Sequence, residues 1–170
     1  KIIISIGDPK KRFEEDPVRS LRAIRFSNKL TFKIHKDIKE AIYEKGYLLA
    51  NISNARLFDE FCKIFLNGMA EKNFNKLETF GLNKYLILTN PSKNEFSNRL
   101  IIEALRNTDK RLEQNKSVTP GFLIAALLWP EIIERSLKKG ELNLRKFFSS
   151  MDQVLKKQQK ITAIPRKFHS

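Results

Sequence analysis

The sequence predicts an all-α fold, a helical array of about seven helices behind one short N-terminal strand. Apolar residues recur at helical spacing, as in Leu57, Phe58, Phe61, Ile64 and Phe65. The cap-then-proline pairs Asp16-Pro17 and Thr119-Pro120 read as helix starts. β-Branched residues cluster convincingly only once, at Ile2, Ile3, Ile4 and Ile6. With 170 residues, 41% of them hydrophobic and 13 of them Phe, the chain can fill one good core or two small ones.

Taken in order, Ile2 to Ile6 reads as a buried strand, unpaired within this chain, that ends in a turn at Gly7-Asp8-Pro9. Asp16 then caps a helix running to about Leu30, with Pro17 at its first position, where the missing N–H has no intrahelical partner. A second helix covers about Asp37 to Lys45 and closes at Gly46. Ser53 or Asn54 caps a third, ended by Gly68, and a fourth runs from about Met69 to Phe80 before Gly81. Asn90-Pro91 separates it from a fifth, about Ser92 to Asn107, with Phe96, Leu100, Ile101 and Leu105 on one face. Thr119-Pro120 opens a sixth, Gly121 to Lys139, in which Pro130 is expected to introduce a kink before Gly140 ends it. A last helical stretch spans about Leu144 to Lys160, and no internal repeat is visible.

Formal net charge is +14, from 33 Lys plus Arg against 19 Asp plus Glu, which points to a polyanionic partner such as nucleic acid. Residues 138–170 carry nine basic and two acidic residues, so half of the excess sits in the last fifth of the chain. The lone Cys62, in an apolar run, excludes an intramolecular disulfide and reads as a buried small hydrophobe in a reducing, cytoplasmic setting. The longest candidate membrane run, Phe122 to Trp129, is far short of the roughly 20 residues that a span requires. No signal peptide is visible, and an opening at Lys1 without methionine reads as a piece of something longer.

Asp16 and Arg19 stand at i and i+3 and so are neighbours on the first helical turn, a carboxylate acceptor beside a guanidinium donor. Adenine and cytosine each present an amino donor next to a ring-nitrogen acceptor, whereas guanine and uracil present a carbonyl next to an N–H. Such a pair can therefore accept A or C and reject G or U. The competing role is purely structural: Asp16 caps the helix and Arg19 pairs with Glu15 or Asp16 at the surface, a contact of about 0–1 kcal/mol. Arg22 and Arg25 continue the stripe, either toward phosphates or as a solvated basic face. Glu14-Glu15-Asp16 does not read as a metal site, because consecutive side chains at a helix start diverge, and the chain contains no Asp-x-Asp pair. His35 and His169 lack ligand-like companions and read as incidental.

The ordered run Ile6-Gly7-Asp8-Pro9, Arg12-Phe13, Glu15-Asp16-Pro17-Val18-Arg19 and Leu21-Arg22-Ala23-Ile24-Arg25-Phe26 resembles the bacterial (class II) poly(A) polymerase and CCA-adding tRNA nucleotidyltransferase family. The likeness continues in Ala55-Arg56-Leu57-Phe58-Asp59-Glu60 and, toward the poly(A) polymerases, through Asn107 to Arg111 and Pro120 to Trp129, fading after about Lys139. It implies that residues 1–12 end an upstream α/β head domain, whose last strand is the isoleucine run. Residues 13–68 would then be a base-recognising neck, and 69–170 an RNA-binding body with a basic tail. The resemblance also implies that Asp16 and Arg19 read the incoming base, with Glu15 and Arg12 as further nucleotide-binding residues. Arg22, Arg25, Lys156, Lys157, Arg166 and Lys167 are the expected RNA contacts.

The implied activity of the intact enzyme is transfer of AMP from ATP to an RNA 3′ end. Mg²⁺ would be held by carboxylates of the head, so no catalytic or metal-ligating residue is expected in this chain, which alone should be inactive. CCA addition to tRNA is the alternative within the family. A non-catalytic helical RNA-binding module is the alternative from another class, and a helical protein-interaction scaffold ranks behind both because it leaves the order of residues 7–26 unexplained.

Overall fold

Asp8 and Pro9 open a helix where the sequence reading placed only a turn. The structure, a computed structural model, describes residues 1–86, 95–138, 149, 151–154 and 156. In it, α1 spans Pro9–Glu15, and the Asp8 carboxylate accepts a hydrogen bond from the Lys10 amide at 2.9 Å. This is the same cap-then-proline chemistry as at Asp16-Pro17, and it was the available signal. Helix α1 lies along α3 (Lys36–Lys45), tied by Lys10–Glu44 at 2.8 Å and by Lys45–Glu14, with Phe13 buried beneath.

The isoleucine run is shorter, more exposed and better paired than expected. Strand β1 (Ile2–Ile3) pairs in parallel with β2 (Lys33–Ile34), in the register Ile2 to Lys33 and Ile3 to Ile34. Ile4 and Ile6 are 69% and 87% exposed. A two-residue partner carries no periodicity, so β2 leaves no pattern to read in sequence.

Helix α2 (Val18–Lys29) buries Val18, Leu21 and Ile24 on one face and Ser20 and Ser27 beside them. It ends in a Schellman-type closure, with Phe32 N–H to Ser27 O at 2.9 Å and Thr31 N–H to Asn28 O at 3.2 Å. Thr31 takes the left-handed position (φ 56°) that glycine usually fills. Helix α3 is capped by His35, whose Nδ1 accepts from the Asp37 amide at 3.4 Å, and it gives way at Gly46 to a 3₁₀ segment, Gly46–Asn51. Helix α4 (Asn54–Phe65) supplies the centre of the core through Leu57, Phe58, Phe61, Ile64 and Phe65, with the Phe61 and Phe65 rings 4.9 Å apart. Burying each of these large apolar side chains contributes about 1.5–3 kcal/mol. Cys62 is only partly buried at the edge of that cluster, and desolvation raises its thiol pKa.

Gly68 (φ 82°) separates α4 from α5 (Ala70–Thr79), and Gly81 (φ 66°) turns the chain into the single-turn α6 (Asn83–Leu86). Helix α7 spans Glu95–Glu113, six residues beyond the expected end at Asn107, and packs on both α5 and α8. The Asp109 carboxylate of α7 reaches the N-terminus of α5, accepting from the Ala70 amide at 2.7 Å and the Glu71 amide at 3.2 Å. Those are two of the unpaired N–H groups that every helix start leaves open, so α7 supplies a cap that α5 lacks locally. Helix α8 (Pro120–Lys138) runs continuously through Pro130. It buries Leu123, Ile124, Leu127, Leu128 and Ile132 and leaves Phe122 and Trp129 exposed. Among the described residues, no helix is long and apolar enough to cross a membrane. One apolar core runs from Phe13 to Val154. The expected breaks at Asn90-Pro91 and Gly140, and most of the expected last helix, lie outside the described residues.

Candidate functional site

The site begins with a steric rule: a residue before proline is pushed out of the α region. Asp16 precedes Pro17 and is extended (φ −147°, ψ 92°), so the chain turns between α1 and α2 at this residue. The Asp16 side chain is 16% exposed. Its Oδ1 accepts from the Val18 amide at 3.3 Å and from Arg56 Nη2 at 2.8 Å, while Oδ2 faces Arg22 Nη1 at 3.9 Å. The carboxylate is thus fixed from behind by its own helix, by α4 and by the next turn of α2. Charge-assisted bonds of this kind are the stronger class.

Arg22 is anchored in turn. Its Nε and Nη2 donate to Glu60 Oε1 at 3.3 and 3.1 Å, and Lys63 Nζ reaches the same oxygen at 3.2 Å. Glu60 is 1% exposed and sits on the apolar face of α4, and its Oε2 is buried without a partner. The guanidinium expected at a phosphate is therefore engaged with a buried carboxylate while remaining 39% exposed. Arg25 also turns partly inward, with Nε buried and unpartnered and its guanidinium 4.3 Å from the Phe26 ring centre, a cation–π contact.

Arg19 differs from both. It is exposed, its amide donates to the Asp16 carbonyl at 3.0 Å, and its guanidinium makes no ion pair among the described residues. The surface pairing of Arg19 with Glu15 or Asp16 is absent there; Glu15 instead takes Arg12 at 3.1 Å, and Arg12 Nε donates to the Ile6 carbonyl at 3.3 Å. The arrangement offers a pinned acceptor at Asp16 and a free donor fork one turn on at Arg19.

Sequence reasoning left Arg56, Glu60 and Lys63 out of the site. A signal for Glu60 existed, since it is the one charged residue on an otherwise apolar stripe of α4, and a buried charge requires a partner. Nothing local marks Arg56 as the partner of a residue 40 positions away. Glu14, Glu15 and Asp16 go to Lys45, Arg12 and Arg56 respectively. No three His, Cys, Asp or Glu side chains gather at one point among the described residues, so these residues do not fit a divalent-ion site. Lys156 pairs with Asp152 at 2.7 Å, whereas Lys157, Arg166, Lys167 and His169 lie outside the described residues.

Residues 31–92 match a family described as the probable RNA and SrmB-binding site of polymerase A. The chain is 38% identical to poly(A) polymerase I of Haemophilus influenzae over 146 residues, covering 81% of this chain and 32% of that protein. It is 33% identical to poly(A) polymerase I of Salmonella typhi, covering 98% of this chain and 38% of that protein. A CCA-adding enzyme of Geobacillus is 37% identical, over 72% of this chain and 29% of that protein. The chain therefore spans about a third of the length of the curated relatives it matches. These matches support the bacterial poly(A) polymerase and CCA-adding nucleotidyltransferase family for this chain, and the alignment that covers 98% of it includes the Glu15-Asp16-x-x-Arg19 turn.

Proposed function

We propose that this chain is the base-selecting and RNA-binding part of a template-independent nucleotidyltransferase that adds AMP from ATP to RNA 3′ ends. The observation that carries this reading is the Asp16 carboxylate held by Arg56 and Arg22 beside an Arg19 guanidinium with no ion pair. A preorganised acceptor next to a free donor matches the Watson–Crick edge of adenine, and its preorganisation lowers the cost of ordering on binding. Arg12 and Glu15 support the turn from the α1 side. Residues 1–12, 13–68 and 69–170 are the proposed end of the head, neck and body. ATP is the proposed substrate, its base read by this chain, Mg²⁺ would be held by the part of the enzyme that this chain does not span, and the cytoplasm is the proposed compartment. The poly(A) reading is favoured over CCA addition because similarity to poly(A) polymerase I extends over 98% of this chain.

The test is an Arg19→Ala variant in the enzyme extended upstream of Lys1, assayed for incorporation of ATP against GTP on an RNA primer. Loss of A-over-G preference, with primer affinity kept, is expected. An unchanged preference would refute the assignment, and completion of C, C and A on truncated tRNA followed by arrest would select the alternative.

A further inference from the structure

A groove of about 800 Å³ lies among β2, α3 and α5, away from the Asp16 turn in sequence and built from different residues. Its floor is apolar, formed by Ile2, Phe32, Ile34 and Phe80. Its rim carries Lys33, Lys36, Lys39, Lys72 and Lys76, and no Asp or Glu lines it. Lys36 and Lys39 stand three apart on α3 and Lys72 and Lys76 four apart on α5, so each pair shares a helix face. Of the acids on the same helices, Glu44 pairs with Lys10 at 2.8 Å and Glu71 with Arg106 at 3.0 Å, and Asp37, Glu40 and Glu78 do not line the groove.

Five like charges around one concavity repel each other, and among the described residues none of them makes an ion pair. Lys76 is the most demanding. Its ammonium donates only to neutral oxygens, Ser27 Oγ at 2.7 Å and Asn28 Oδ1 at 2.9 Å, and burial together with Lys39 lowers its pKa. A bound polyanion would relieve both the repulsion and the desolvated amine.

We propose that this groove is the track for a single-stranded RNA backbone, its lysines neutralising successive phosphates and its apolar floor receiving a base or ribose face. The inference rests on RNA being the ligand, as proposed above, and adds where the strand runs. An acidic protein segment would also satisfy the charge, but an apolar floor with two phenylalanines under a lysine-rich rim that holds no acid is the combination found in sequence-tolerant single-strand sites. The matched span, residues 31–92, contains every rim lysine.

The test compares two triple variants of the 170-residue chain, Lys36→Gln/Lys39→Gln/Lys72→Gln in the groove and Lys11→Gln/Lys110→Gln/Lys116→Gln at exposed positions outside it. Lys76 is left intact because Ser27 and Asn28 depend on it, and circular dichroism checks folding. Affinity for fluorescein-labelled oligo(A) is measured across a salt series. Each phosphate neutralised on a single strand adds about 0.7 to the salt slope, so the groove triple should flatten the slope by about 2 and bind roughly a hundredfold more weakly at about 0.1 M salt. The control triple should stay within about threefold of wild type, since more distant charges are screened. Equal losses in both triples would overturn the groove and leave RNA binding in place. Absence of oligo(A) binding by the wild-type chain would overturn RNA as the ligand. A groove triple that keeps oligo(A) but loses poly-glutamate would assign the groove to an acidic protein partner and end the proposal.

Discussion

Replacing Arg22 by methionine tests whether the structure or the arginine stripe describes this residue. As one of a row of phosphate contacts, Arg22 would be dispensable for stability. In the structure it supplies two of the three hydrogen bonds to Glu60 Oε1, and Glu60 is 1% exposed with Oε2 already unpartnered. Removing one partner of a buried ion pair costs about 3–5 kcal/mol. Because the Arg22 end is 39% exposed and Lys63 remains at 3.2 Å, the expected loss is about 2–3 kcal/mol. Urea unfolding followed by circular dichroism reads this directly, since a slope of about 2 kcal/mol/M converts the loss into a midpoint lowered by roughly 1–1.5 M. Adding Glu60→Gln to Arg22→Met removes the stranded charge and should recover at least half of the loss. A single variant that loses less than about 0.5 kcal/mol, within the range of ordinary surface changes, would refute the reasoning. A double variant no better than the single would refute the stranded charge as its cause.

Thr31→Gly should raise stability by about 0.5–1 kcal/mol, the left-handed strain of about 1–2 kcal/mol less the entropy cost of glycine, and the melting midpoint should rise by about 1–4 °C. Asp109→Ala should lose about 1–2 kcal/mol by opening the cap that joins α7 to α5, with amide exchange at Ala70 and Glu71 accelerating first. Burial raises the folded pKa of Asp109 above 3.8 despite those two amides, so the contribution of this group is present below that value and lost as pH rises through the folded one; the Asp109→Asn stability profile should lack that decline. Desolvation raises the Cys62 thiol, so iodoacetamide should label it more slowly near neutral pH in the folded chain than in urea; equal rates would contradict the packing at the edge of α4.

Helices announced themselves where one face is apolar and the ends are punctuated, which is why α2, α3, α4 and α5 could be placed to within a few residues from Asp16-Pro17, Gly46, Gly68 and Gly81. Helix α1 was missed although Asp8-Pro9 carries the same start signal, because its seven residues contain a single core residue, Phe13, and so no period. The pairing of β1 with β2 was missed for the same reason. The Asp16 and Arg19 positions were readable as a candidate pair because they stand three apart in sequence.

By itself the sequence determined the helical class, the basic charge and the three-residue spacing of Asp16 and Arg19, since composition, period and local spacing are properties of neighbours along the chain. Tertiary structure alone decided which arginine is free. Arg19, Arg22 and Arg25 are equivalent in spacing, yet packing α4 against α2 brings Arg56 to Asp16 and Glu60 to Arg22, while Arg19 stays in solvent. A guanidinium goes to the nearest desolvated carboxylate, because a buried charge is far costlier to leave unpaired than an exposed one. Which carboxylate is nearest depends on contacts between residues about 40 positions apart.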